Sequence, residues 1–193
     1  MSHDEKLKIY HDLLLQWQKK INLISPATIA NAWDRHFVDS QQLSQYIPNH
    51  VQSICDIGSG AGFPGLILAI MNPEIHVTLI ESDTRKCAFL RTVSRETKCN
   101  NVTILNGRIE ENICDIEADM VSARALASLR QLVIYTKPLW ENNINFKILC
   151  PKGQNYRDEI DDACLKYDFD LSDYGSQTDP NARILIVGNI LEK

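Results

Sequence analysis

No run of apolar residues in this 193-residue chain is long enough to cross a bilayer; the longest, Leu66 to Met71, falls far short of the roughly 20 residues a membrane helix needs. The opening residues, Met1-Ser2-His3-Asp4-Glu5-Lys6, are polar and mixed in sign and carry no export signal, so a cytoplasmic location and no membrane partner are expected. Six cysteines are scattered without a Cys-x-x-Cys pair, which argues against a zinc site and a disulfide framework alike; no metal is expected. Internal repeats and low-complexity tracts are also missing, and 44% hydrophobic with 23% charged residues is the composition of one folded domain. Excess positive charge is absent too. The net charge is −5, with 5 basic and 5 acidic residues in 1–50, 10 and 11 in 51–150, and 5 and 9 in 151–193. That balance excludes strong sequence-independent binding of polyanions and leaves room for a specific RNA site.

The rhythm of the chain changes near residue 50. Leu7, Tyr10, Leu14, Trp17 and Ile21 recur at spacings of three and four, predicting an amphipathic helix, and a second helix is predicted from Arg35 to Tyr46, ending before Pro48. Beyond it, strands are predicted at Ser53–Asp56, Val77–Glu81, Val102–Leu105, Met120–Ala123, Asn145–Leu149, Phe169–Leu171 and Arg183–Val187. Helices are predicted between them at Pro64–Met71, Thr84–Thr97, Ser128–Trp140 and Tyr156–Tyr167. The alternation predicts an α/β fold with a doubly wound, seven-stranded, mostly parallel, Rossmann-like sheet whose last strand runs antiparallel. Residues 1–50 are read as an N-terminal helical extension and 51–193 as the ligand-binding domain, one compact unit overall and a monomer.

The first predicted strand runs into Asp56-Ile57-Gly58-Ser59-Gly60-Ala61-Gly62-Phe63-Pro64-Gly65. Glycines there permit positive φ and let the backbone close on a ligand where a Cβ would collide, so Gly58 and Gly60 are candidate contacts of a nucleotide-type pocket. Gly60-x-Gly62-x-x-Gly65 with Glu81 about 20 residues on also satisfies the dinucleotide fingerprint, which keeps an NAD(P)-dependent oxidoreductase open as an alternative. Asp56, just before the first glycine, shifts the balance toward S-adenosylmethionine. Its carboxylate suits a sulfonium cation and a free amino group, whereas it would repel a pyrophosphate. Glu81, at the end of the second strand, is placed to accept the ribose hydroxyls. In the turn Asn106-Gly107-Arg108-Ile109-Glu110, Ile109 is placed to flank an adenine.

The fourth strand leads into Ser122-Ala123-Arg124-Ala125, where a methyl acceptor would approach. Enzymes that methylate exocyclic amines usually carry Asn or Asp with prolines at this place, and none is present. An acceptor with a free lone pair, such as a ring nitrogen, needs alignment and desolvation only, so no general base is expected. Arg124 is read as a cofactor or phosphate contact, with a structural ion pair as the alternative. Cys150 would be a nucleophile only for carbon-5 chemistry and is read as a buried strand-end cysteine. Lys152 is a candidate contact to acceptor phosphates, as are Arg91 and Arg95, which share a basic helix face with Lys98.

The chain resembles the glucose-inhibited division protein B family, the bacterial 16S rRNA (guanine-N7) methyltransferases. The matching segments are Leu14-x-x-Trp17, Ile21 through Ser25, Arg35-His36-x-x-Asp39-Ser40, Asp56 through Gly65, Leu79 through Ser82, Arg108-x-Glu110, Ser122 through Ala125 and Lys152-Gly153. The resemblance implies the class I S-adenosylmethionine-dependent methyltransferase fold, that cofactor, and transfer to N7 of one guanine in 16S rRNA, free or in the 30S subunit. It also implies cofactor contacts at Gly58, Phe63, Ile109, Glu110 and Arg124, and RNA contacts at Arg35 and His36. Gln18 departs from the family's usual asparagine. A non-enzymatic S-adenosylmethionine-binding module remains a further alternative.

Overall fold

The computed structural model describes residues 1–193. Ser2 starts helix α1 (His3–Gln18) with a capping box: its Oγ accepts from the Glu5 amide at 3.2 Å and its own amide donates to Glu5 Oε2 at 2.7 Å. The helix buries Leu7, Tyr10 and Leu14 completely. Burial on that scale stabilises the fold by about 1.5–3 kcal/mol per large apolar side chain. Gln18 then turns the chain, its Oε1 accepting from the amides of Leu23 and Ile24 at 2.9 Å each.

The predicted helix over Arg35 to Tyr46 is a chain of short turns of different pitch. A 3₁₀ turn (Pro26–Asn31) precedes a π-helical run (Trp33–Val38), one turn of α-helix α2 (Asp39–Gln41) and a second 3₁₀ turn (Gln42–Tyr46). Fully buried Phe37 packs edge-on against both Tyr10 and Phe63, with centroids 4.9 and 5.1 Å apart. The widened turn seats this ring in the core while His36 and Asp39 stay at the rim of the sheet.

All seven predicted strands form: β1 (Ser53–Ile57), β2 (His76–Glu81), β3 (Val102–Asn106), β4 (Met120–Ser122), β5 (Lys147–Lys152), β6 (Tyr167–Gly175) and β7 (Arg183–Glu192). Their order is β3-β2-β1-β4-β5-β7-β6, and β7 runs antiparallel to both β5 and β6, so the last strand inserts inside the edge of the sheet. Strand side chains alternate between two cores. Ile54, Val77, Leu79, Met120 and Leu149 face α1, α3 (Gly65–Met71) and α4 (Thr84–Glu96). Cys55, Ile57, Ile80, Val121 and Ile148 face α6 (Leu129–Tyr135), α7 (Lys137–Trp140) and α8 (Tyr156–Cys164). The single helix predicted over Ser128–Trp140 is split after Tyr135, where Pro138 lacks the amide a continuous helix requires. One turn, α5 (Ile109–Asn112), was not anticipated. No helix is long and apolar enough to cross a membrane.

Candidate active site

The strand order reverses between β1 and β4, the position at which open α/β sheets form a crevice at their carboxyl ends. The glycine loop occupies that crevice. Gly58 has φ +66°, and a Cβ added to it would lie 2.6 Å from Leu126 Cδ1, so only glycine fits without moving Leu126. Gly60, at φ +56°, donates its amide to Glu81 Oε2 at 2.8 Å, and the Asp83 amide donates to Oε1 at 2.8 Å. Glu81 is thereby held rigidly at the end of β2. A cavity of about 280 Å³ opens beside it, lined by Gly58, Gly60, Glu81, Ile109, Glu110 and Leu126. Lys86, at the start of the basic helix face, and Tyr135 also line it; Tyr135 carried no sequence signal.

Asp56 lies behind the loop and is 1% exposed. Its Oδ1 accepts from Ser122 Oγ at 2.6 Å, while Oδ2 is buried with no hydrogen-bond partner. Burial pushes the carboxyl up to about 6, against the hydrogen bond from Ser122 that favours its charge. A buried carboxylate without a full set of partners is costly, and either a proton or a nearby cation relieves that cost.

Arg124, at the exit of β4, is only 17% exposed and is gripped by the N-terminal turns. Its Nη1 donates to Arg35 O at 3.1 Å and to Asp39 Oδ2 at 3.3 Å, and its Nη2 donates to His36 Nδ1 at 2.9 Å. A guanidinium is a donor only, so Nδ1 is the acceptor and the imidazole proton sits on Nε2. That proton points to Thr28 Oγ1 at 2.9 Å, and the threonine hydroxyl donates to Ser25 O at 2.8 Å. Burial, followed by the charge of Arg124, pushes the His36 pKa down to about 4, so the ring is neutral at physiological pH. The His36 ring also stacks on Phe63 at 5.2 Å, and the Arg124 guanidinium covers the same ring at 5.0 Å.

The sequence-predicted residues therefore divide. Gly58, Gly60, Glu81, Ile109 and Glu110 meet at one cavity. Phe63, 4% exposed beneath His36 and Arg124, and Asp56, 1% exposed behind the loop, do not line it. Arg35, His36, Arg124 and Lys152 line a second, polar cleft of about 360 Å³. The segment Arg124 to Ala127 is the wall between the two, with Leu126 on the cavity side and Arg124, Ala125 and Ala127 on the cleft side. Arg91 and Arg95 lie apart from both, exposed on α4, with Arg95 paired to Glu96 at 2.9 Å. Cys150 is fully buried and its thiol is pushed up to about 12 by that burial, far from a nucleophile's range. Asp39, Thr178 and Glu159 at the cleft were not anticipated. The spacing of Asp39 three residues after His36 was the one signal for it, whereas Thr178 meets Asp39 Oδ1 at 2.6 Å only through the fold.

The family described as rRNA small subunit methyltransferase G matches residues 3–175. The chain belongs to that family. The "Ribosomal RNA small subunit methyltransferase G" of Paramagnetospirillum magneticum is 44% identical over 183 residues, covering 94% of this chain and 86% of the relative. The protein of the same name from Rickettsia prowazekii is 41% identical over 186 residues, covering 96% and 94%. Among solved structures, a precorrin-6y C5,15-methyltransferase from Geobacter metallireducens superposes with a TM-score of 0.55 at 13% identity, covering 86% of this chain and 90% of that one. A glycopeptide N-methyltransferase complexed with S-adenosylmethionine gives 0.62 at 10% identity, covering 79% and 94%. These likenesses establish the class I methyltransferase fold expected from the strand pattern, and the family is one of methyltransferases, which sets the oxidoreductase alternative aside.

Proposed function

We propose that this methyltransferase transfers the methyl group of S-adenosylmethionine to N7 of a guanine in 16S rRNA, presented free or in the 30S subunit. The observation that carries the reading is the pairing of a nucleoside-sized cavity with a polar cleft across the single wall Arg124 to Ala127. The residues present fit the cofactor: Glu81, Glu110 and Ile109 bring acceptors and an apolar side chain to one cavity, Gly58 at φ +66° brings bare backbone to it, and Asp56 supplies a buried carboxylate behind the loop. Glu81 would face the ribose hydroxyls and Ile109 the adenine, with Gly58, Gly60 and Glu110 completing the cradle and Asp56 acting on the cationic end from behind the loop. Phe63 would act from beneath, by holding Arg124 and His36 in place. When bound, the cofactor supplies an electrophilic methyl group.

What the chain itself does is align and desolvate. N7 of guanine has a lone pair and no proton to lose, so the transfer needs no general base. The neutral His36 has both nitrogens engaged and holds Arg124 rather than moving a proton. Arg35 at the mouth of the cleft is read as a phosphate contact, and exposed Arg91 and Arg95 as a second, outlying one. Residues 1–50 are read as an extension integral with the domain of 51–193, since Tyr10 donates to Ala61 O of the glycine loop. A cytoplasmic monomer fits this work. The test is incubation with labelled S-adenosylmethionine and 16S rRNA or 30S subunits from cells lacking the modification. Label on a guanine that becomes cleavable after reduction and aniline treatment supports N7; cofactor binding with no transfer to any ribosomal substrate would leave a binding module instead.

A further inference from the structure

The polar cleft contains carboxylates that the network around Arg124 uses up and one that it does not. Asp39 Oδ1 accepts from Thr178 and Gln42, and its Oδ2 accepts from Arg124. Asp179 accepts from Arg35 through Oδ2 and from the Asn181 amide through Oδ1. Glu159, on α8, differs. Its Oε2 accepts from the Leu129 amide at 2.8 Å and sits 2.7 Å from Lys152 Nζ, whereas its Oε1 has no protein partner and its side chain lines the cleft at 27% exposure. Lys152 is 8% exposed and spends two of its three protons, on Glu159 and on Ala127 O at 2.6 Å. The cleft thus offers one rigidly held free acceptor next to one free cationic donor.

We propose that Glu159 is the residue that selects guanine, its Oε1 accepting from the N1–H and the 2-amino group of the acceptor base, while Lys152 donates its remaining proton to O6. This rests on the functional reading above. Methylation at N7 requires the edge carrying N7 and O6 to face the wall, so Lys152, bonded to Ala127 O of that wall, meets O6, and Glu159 beside it meets the adjoining N1–H and 2-amino group. A carboxylate accepts only, so it matches the two donors of guanine and opposes the N1 lone pair of adenine. The 6-amino group of adenine would likewise meet the ammonium of Lys152, donor against donor. A site built around a buried hydrogen-bonding group rejects a base lacking its partner far more strongly than shape alone does. The Leu129 amide and Lys152 fix Glu159 before the base arrives, so little side-chain freedom is lost on binding.

The experiment compares 16S rRNA carrying guanine or inosine at the methylated position, assembled with a synthetic segment, for the natural enzyme and for Glu159→Gln. Inosine keeps N7, O6 and N1–H and lacks the 2-amino group. The natural enzyme is expected to lose about 10-fold or more in kcat/KM on inosine. Glu159→Gln is expected to lose about 10- to 100-fold on guanine, with the guanine-to-inosine ratio collapsing toward one and affinity for S-adenosylhomocysteine unchanged. Equal kcat/KM of the natural enzyme on both bases, or a Glu159→Gln enzyme that keeps the natural ratio, overturns the assignment. If the variant does not fold, the natural enzyme's comparison of guanine with inosine and with 1-methylguanine still decides. Absence of any transfer to guanine by the natural enzyme defeats the functional reading itself, and this assignment with it.

Discussion

Protonating Asp56 should weaken binding of the cofactor, and the size of the effect follows from its surroundings. Burial pushes the carboxyl up to about 6, and its Oδ2 has no protein partner. A ligand that carries an ammonium group needs the ionised form. At pH 7 about nine-tenths of the carboxyl is ionised and at pH 5 about one-tenth, so the dissociation constant of S-adenosylhomocysteine should rise about tenfold between them. The sign is set by the raised value: affinity is level above about pH 7 and falls as the pH drops through 6. Titration calorimetry at pH 5, 6 and 7 measures the slope, and repeating it at pH 6 in buffers of different ionisation enthalpy measures the proton released. Asp56→Asn should bind about 10- to 100-fold more weakly at pH 7, with no such slope. The variant serves as the control for every other ionisable group, because all of them are unchanged in it. A pH slope that persists in Asp56→Asn, or a flat profile in the natural protein, would refute the placement of the cationic end of the ligand at Asp56.

Three other outcomes are expected. Gly58→Ala puts a Cβ 2.6 Å from Leu126 at φ +66°; it should cost about 1–3 kcal/mol of stability, read by urea unfolding, and weaken S-adenosylhomocysteine binding. His36→Phe keeps a ring on Phe63 but removes the acceptor for Arg124 Nη2; stability should fall by about 1–3 kcal/mol and methyl transfer with it, whereas Cys150→Ser should transfer at the natural rate. Arg91→Glu with Arg95→Glu should lower the slope of log affinity for 16S rRNA against log salt by about 2 if α4 touches phosphate, and an unchanged slope would remove that helix from the interface.

The sheet was legible because its residues obey local rules. Short apolar runs buried on both faces, such as Val77 to Ile80, mark the central strands, and the glycine loop announces the turn at the crevice. The insertion of β7 between β5 and β6 was not legible, since strand order depends on which edges meet and leaves no local pattern. The run from Pro26 to Tyr46 reads as helix by composition, yet packing of Phe37 against Tyr10 and Phe63 imposes a wider pitch on part of it. At the site, the residues within the loop and at strand ends were found; those that meet across 85 residues, as Asp39 and Arg124 do, were identified only as separate motifs. The resemblance implied His36 as an RNA contact, and its ring stacking on Phe63 is a second role that no spacing reveals.

The hydrogen bond from Thr178 to Asp39 joins positions 139 residues apart. Its donor lies in the connection between the last two strands, so the brace behind Asp39 is supplied only after nearly the whole polypeptide has emerged. An incomplete chain would therefore have the nucleoside cradle and lack an ordered acceptor cleft, and competence for reaction arrives with the carboxyl-terminal hairpin.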